Sequence, residues 1–156
     1  MNIEKPKYKT WIRTKAIFLF VILTIISLFG ISLTSISIWF LLFIIPALIF
    51  GYILTIISAS AFQFSANGND YQNKIHKLII NSIDNVSPND ILDIGCGSGH
   101  LAIETAKAFA NATVTGIDFF GQDWEYSKQQ TERNAELENV NAKTKFINGT
   151  ASKLTF

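Results

Sequence analysis

Two aspartates and three glycines are the residues of this chain best placed, by type and spacing, to do chemistry. Gly95, Gly97 and Gly99 alternate with Cys96 and Ser98, and Asp93-Ile94 leads into the run. Glycine permits a tight turn and lets a ligand approach bare backbone. Upstream, Ile91-Leu92-Asp93-Ile94 reads as a short buried strand. Downstream, an Ala-rich helix is predicted from about His100 to Phe109, led by Leu101, Ile103 and Ala106. A glycine turn between strand and helix is where open α/β sheets bind ligands. The helix start adds N–H groups without intrahelical partners. A second strand, Thr113-Val114-Thr115-Gly116-Ile117, stops at Asp118, so a carboxylate ends each of the first two strands.

Several chemistries are disfavoured by the same residues. A dinucleotide fingerprint would read G-x-G-x-x-G, and Gly95 and Gly97 fit it, but His100 holds the last position. A P-loop needs a Gly-Lys-Ser/Thr ending, which is absent. One Cys and two distant His, His76 and His100, give no metal-ligand spacing, and no metal is expected. Cys96 has no evident basic partner and reads as a small loop residue rather than a nucleophile. It cannot form an intrachain disulfide, which fits a reducing compartment. Both histidines read as solvated or capping residues.

The run Asp93-Ile94-Gly95-Cys96-Gly97-Ser98-Gly99 matches D-x-G-x-G-x-G, and the match extends through Thr115-Gly116-Ile117-Asp118 and Phe146-Ile147-Asn148-Gly149-Thr150-Ala151. In these blocks the chain resembles the class I S-adenosylmethionine-dependent methyltransferases, over essentially all of Ile91 to Phe156. The resemblance implies that Gly95, Cys96, Gly97 and Gly99 form the loop around the amino-acid and ribose portion of S-adenosyl-L-methionine. It implies that Asp93 contacts the methionine amino group, and that Asp118 accepts from both ribose hydroxyls, having no evident structural duty. Phe119 would cover one adenine face, and the Ala151 N–H would meet an adenine ring nitrogen. Thr150 stands where the family commonly has an acidic residue facing the adenine amino group. A neutral hydroxyl bonds there about half as strongly as a carboxylate. The catalytic residues and the methyl acceptor remain unnamed by this resemblance.

The elements that must position these residues read as βαβ units. A helix with Ile75, Leu78, Ile79 and Ile83 on one face precedes Val86-Ser87-Pro88-Asn89, which ends it. Another helix is predicted over roughly Asp123 to Glu138, and a third strand over Lys145-Phe146-Ile147-Asn148. Trp124 and Tyr126 could line a substrate mouth, although packing of their helix on the sheet is the plainer reading. The fold expected is a Rossmann-like, doubly wound parallel sheet with about three strands present. The resemblance implies seven, and the sequence ends at Phe156 near where a fourth would begin. The expectation is therefore a fragment, a truncated gene, or half of a fold completed by a second chain, with the strand at Ile91 left as an exposed apolar edge.

Before this part lies a different kind of chain. Lys5, Lys7, Lys9, Arg13 and Lys15 crowd the start, and from Ala16 to Asn69 there is no charged residue. A membrane span needs roughly 20 apolar residues. Ala16–Leu33 and Ile36–Ile57 supply two, and Ser32, Thr34, Ser35 and Ser37 form a short polar break between them. The organisation expected is a basic N-terminus (1–15), a transmembrane hairpin (16–57), a linker (58–70) and a partial methyltransferase domain (71–156). A signal peptide is disfavoured because its apolar region runs only about 7–15 residues. The basic cluster and an even number of spans place both termini and the soluble part in the cytoplasm, at the cell membrane. The partners expected are the lipid bilayer and an unknown methyl acceptor. No basic stripe in the soluble part supports nucleic acid. Two other functions are open: a non-catalytic membrane protein with a vestigial cofactor domain, and a dinucleotide-binding reductase, which His100 disfavours.

Overall fold

The computed structural model describes residues 4–34, 37–83, 90–121 and 125–154. It divides into two units, one of residues 10–73 and one that joins residues 1–9 to 74–156.

The first unit is dominated by two helices. Helix α1 spans Thr14–Thr34; after a 3-10 turn at Ile38–Phe40, α2 spans Leu41–Phe64. At 1.5 Å per residue they run roughly 32 and 36 Å, enough for a hydrocarbon layer of about 30 Å. Mean hydropathy of both is 2.7, and their large side chains point outward, with Phe18, Leu33 and Leu48 each about 70% exposed. The two helices pack on each other, Phe20 meeting Phe50 at 6.2 Å between ring centres. Their hydroxyls turn back on their own helices: Thr24 donates to the Phe20 carbonyl, Ser27 to Leu23, Thr34 to Gly30 and Thr55 to Gly51. Pro46 lies inside α2 without ending it. The linker expected from residue 58 begins later, because α2 continues unbroken to Phe64, where Ser65 caps it in extended conformation. Part of the polar break, Ser35 and Ile36, lies outside the described residues.

Helix α3, Tyr71–Ser82, shows a different inner face from the one expected. Gln72 and His76 are buried, whereas Leu78 and Ile79 are exposed. Its expected terminator, residues 86–89, lies outside the described residues.

The second unit holds a three-stranded parallel sheet, in the order β1-β2-β3. Strand β1 is Asp90–Ile94, β2 Thr113–Asp118 and β3 Thr144–Asn148, with α4 at His100–Ala108 and α5 at Lys128–Leu137 in the two crossovers. This is the expected α/β, Rossmann-like arrangement. Its core gathers Ala102, Ile103 and Ala106 of α4, Val114 of the central strand, Ala135 of α5, Val140, and Phe146 of β3. Gly116 lets strands and loop close up, since a Cβ there would lie 2.7 Å from the Phe146 ring and 2.9 Å from Cys96 Sγ. Strand β1 lies at the edge, with Leu92 and Ile94 exposed. Helix α5 starts later than expected, because the Ser127 side chain caps it by accepting from the Gln130 N–H.

Candidate functional site

The parallel register sets the two strand-end aspartates side by side in the sheet, with Asp93 opposite Gly116 and Asp118 two residues further along β2. Between β1 and α4 the three loop glycines all take positive φ, at 79°, 55° and 79°. Side chains rarely adopt that region, and at Gly99 a Cβ would also lie 2.6 Å from Thr131 Cγ2.

The N–H groups of this loop turn inward. Gly95 and Cys96 both donate to the Ile117 carbonyl, at 2.7 and 3.1 Å, and Gly99 donates to the Cys96 carbonyl. Gly97 donates to Asp118 Oδ2 at 2.8 Å. The sequence suggests a ring of free donors at the helix start, but these four are spent inside the protein. A ligand meets a loop four of whose donors are used and whose neighbours are carboxylates.

Asp118 is buried and holds the site together. Besides Gly97, it accepts from the Phe120 N–H at 3.3 Å and from the Tyr126 hydroxyl at 3.3 and 3.4 Å. It therefore has the structural duty that the sequence did not disclose. Asp93 differs: its Oδ2 is buried without a hydrogen-bond partner among the described residues. Burial pushes its carboxyl up to about 6; the Ala102 backbone N–H pulls it down, and the nearby Asp118 charge adds to the rise.

The other expected site residues fall into two groups. Phe119 is 61% exposed beside Asp118, and Thr150 and Ala151 lie exposed in the turn after β3, where Gly149 donates to the Asp118 carbonyl. The Thr150 hydroxyl is engaged with Ser152 Oγ at 2.6 Å. Cys96 stands apart, since its side chain is a core residue. Burial, with Asp93 and Asp118 nearby, holds its thiol far above the ordinary range and so neutral.

Tyr126 belongs to the site rather than only to helix packing. With Phe120, Gly121, Glu125, Ser127, Gln130, Lys7 and Lys9 it lines an open cavity of about 630 Å³. Trp124 lies outside the described residues. His76 is not solvated: it is buried and meets the half-buried His100, the first residue of α4, edge-on at 4.8 Å. Burial and the neighbouring His100 bring the His76 imidazole down to about 4.

Two buried polar residues of α5 escape a search for apolar periodicity. Thr131 donates to the Gly97 carbonyl at 3.1 Å, and Asn134 donates to the Ser98 carbonyl at 3.1 Å. Both are fully buried and brace the loop from behind. Their helical spacing with Ala135 is the only sequence signal they leave.

A parallel α/β sheet with a glycine turn after its first strand and a buried carboxylate ending its second defines an α/β domain of the Rossmann-like class. Residues 91–156 match the family model described as a methyltransferase domain. The match covers the stretch in which the sequence resembles the class I S-adenosylmethionine-dependent methyltransferases. No curated protein matches the chain at a significant level.

Proposed function

We propose that the glycine loop and its two aspartates bind S-adenosyl-L-methionine, and that the chain transfers the methyl group to an acceptor at a membrane surface. The observation that carries this reading is the charge of the site. Four loop N–H groups are spent internally, and the flanking side chains are Asp93 and Asp118. A pyrophosphate needs free donors at the loop itself; the nearby cations, Lys7 and Lys9, stand on the cavity wall with Tyr126. An ammonium or sulfonium is attracted by the carboxylates at the loop instead, and a buried carboxylate oxygen without a partner is a place for a charged donor. The bound cofactor supplies an electrophilic methyl on its sulfonium. The chain's own work is to hold it and orient the acceptor in line.

Asp93 would receive the ammonium. Asp118 would take the ribose hydroxyls, giving up the long bonds to Tyr126 while keeping the shorter one to Gly97. Phe119 would offer its exposed ring to the adenine, and Thr150 and Ala151 would approach the adenine edge. Loss of the family's carboxylate at Thr150 weakens that last contact.

The two apolar helices support a membrane anchor. Residues before the first helix and the domain after the second share one unit. A pair of spans returns the chain to its starting side, and the basic cluster favours the cytoplasm.

Calorimetry of the full chain in lipid nanodiscs, titrated with S-adenosylmethionine and with a nicotinamide dinucleotide, tests the reading. Binding of the first and not the second is expected. The reverse order would move the site to the reductase class, and failure of both would leave a vestigial domain.

A further inference from the structure

The segment Glu4–Lys9, which precedes the first apolar helix, is docked on the α/β unit, on residues 89 to 130 positions later in the chain. The Lys7 N–H donates to Asn134 Oδ1 at 2.8 Å, and Asn134 Nδ2 donates back to the Lys7 carbonyl at 3.1 Å. One buried amide thus reads both backbone groups of Lys7 as a neighbouring strand would. The same Nδ2 reaches the Ser98 carbonyl. Two residues on, the Lys9 N–H donates to Ser98 Oγ at 3.1 Å. Between these anchors the Tyr8 ring stacks on His100 at 4.0 Å and 11°, packs against the hydrophobic core, and directs its hydroxyl to Glu138. Glu4 pairs with Arg133 at 2.7 Å.

We infer that this segment is a positioning element of the cofactor site: it pins Ser98 of the glycine loop, while Asp118 holds the neighbouring Gly97. Two of its anchors, Ser98 and His100, flank Gly99, and Asn134 ties the segment and the loop to one point on α5. Lys7 and Lys9 also wall the cavity in front of Tyr126. Tyr8 and Lys9 hold the loop in the shape the cofactor requires without themselves touching it. Since the segment runs within a few residues into α1 at Thr14, the site is complete only when both flanks of the hairpin lie on the same side. Insertion of the hairpin and assembly of the cofactor loop are therefore coupled. The alternative role, a passive tail on the surface, would leave the loop indifferent to it.

This inference rests on the methyltransferase reading, but its first readout does not. Hydrogen exchange of the ligand-free full chain in nanodiscs, compared between the natural sequence, Lys9→Pro, Tyr8→Ala and Tyr8→Phe, reports on the loop directly. Lys9→Pro removes the backbone donor to Ser98 together with the Lys9 side chain, whose loss alone Lys9→Ala reports, and Tyr8→Ala removes the stack. Lys9→Pro and Tyr8→Ala should both raise exchange at residues 97–99 and leave β2 and β3 protected, which shows that the unit is folded. Tyr8→Phe keeps the ring and should restore most of the protection. S-adenosylmethionine affinity should follow, falling about three- to tenfold for Lys9→Pro, the span of one net hydrogen bond. Ser98→Ala should fall similarly, and the Lys9→Pro/Ser98→Ala pair no further than the worse single change. Unchanged exchange at 97–99, or fully additive losses in the pair, would overturn the role. If the natural chain binds no S-adenosylmethionine while the exchange pattern appears as stated, the methyltransferase reading fails and the positioning role stands.

Discussion

The apolar hairpin and the α/β unit solve the same problem, a polar group that must not go unsatisfied, in opposite ways. In α1 and α2 the hydroxyls of Thr24, Ser27, Thr34 and Thr55 bond to their own helix four residues back, so these bonds depend on no distant sequence. Large side chains face outward, as suits a lipid solvent. In the α/β unit, hydroxyls, amides and carboxylates reach across 21 to 127 positions: Asp118 to Gly97, Thr131 to Gly97, Asn134 to Lys7. The first pattern makes helices that are complete in themselves. The second makes a loop that exists only when several distant segments are in place. The proposed function rests on the second, where Asp118, the side chain proposed to meet the ligand, also holds the glycine loop.

That contrast can be broken at its strongest point first. Asp118→Ala removes acceptors for Gly97, Phe120 and Tyr126 together with the expected ribose contacts. Hydrogen bonds to a charged group contribute about 1.5–3 kcal/mol each. S-adenosylmethionine affinity should drop by at least tenfold. Thermal unfolding of the α/β unit should also fall to lower temperature. An affinity loss with no change in unfolding would mean that the carboxylate serves only the ligand.

A glycine pair tests the same contrast more gently. Gly116→Ala places a methyl within 3 Å of Phe146 and Cys96. It should destabilise the unit by roughly 1–3 kcal/mol, as overpacking does. Gly51→Ala meets nothing within 4 Å in α2. It should stabilise that helix by about 0.5–1 kcal/mol, the helix-propensity difference. Denaturation monitored by circular dichroism would read both. Equal effects at the two positions would erase the distinction.

The sequence carried the regular elements because they obey local rules. The glycine run, the strands ending at Asp93 and Asp118, and two long uncharged stretches all leave a pattern within ten to twenty residues. What escaped it is non-local or polar. Helix α3 has Leu78 and Ile79 where apolar spacing puts the inner face, yet its buried positions are Gln72 and His76. His76 sits beneath His100, and His100 stacks on Tyr8. No periodicity could announce that cluster, because its members lie on three separate segments. Asn134 looks like an ordinary surface amide until Lys7 and Ser98 are brought to it. Asp118 looked purely functional for the same reason: its structural partners are a loop N–H 21 positions earlier and a tyrosine hydroxyl in the following crossover.

The central claim is that a carboxylate-lined loop selects a cationic ligand, and the pH dependence of S-adenosylmethionine affinity tests it most directly. Burial holds the Asp93 carboxyl up to about 6 in the free protein. Because that value is raised, this group stabilises the fold fully only below its ordinary value of 3.8. The contribution is lost as pH rises through about 6. An ammonium beside it reverses the preference and favours the ionised form. His76, held down near 4, contributes in the opposite sense: its stabilisation is present above 6.5 and lost as pH falls through about 4. It does not face the expected ligand. Affinity should therefore be greatest near pH 7, weaken above about 8 as the cofactor's own amino group loses its proton, and fall as pH drops through 6, approaching about tenfold per unit, with proton release on binding in that lower range. Asp93→Asn should bind more weakly at neutral pH and flatten the profile. A profile of the natural chain that stays level from pH 8 to pH 5, with no proton released, would contradict the account.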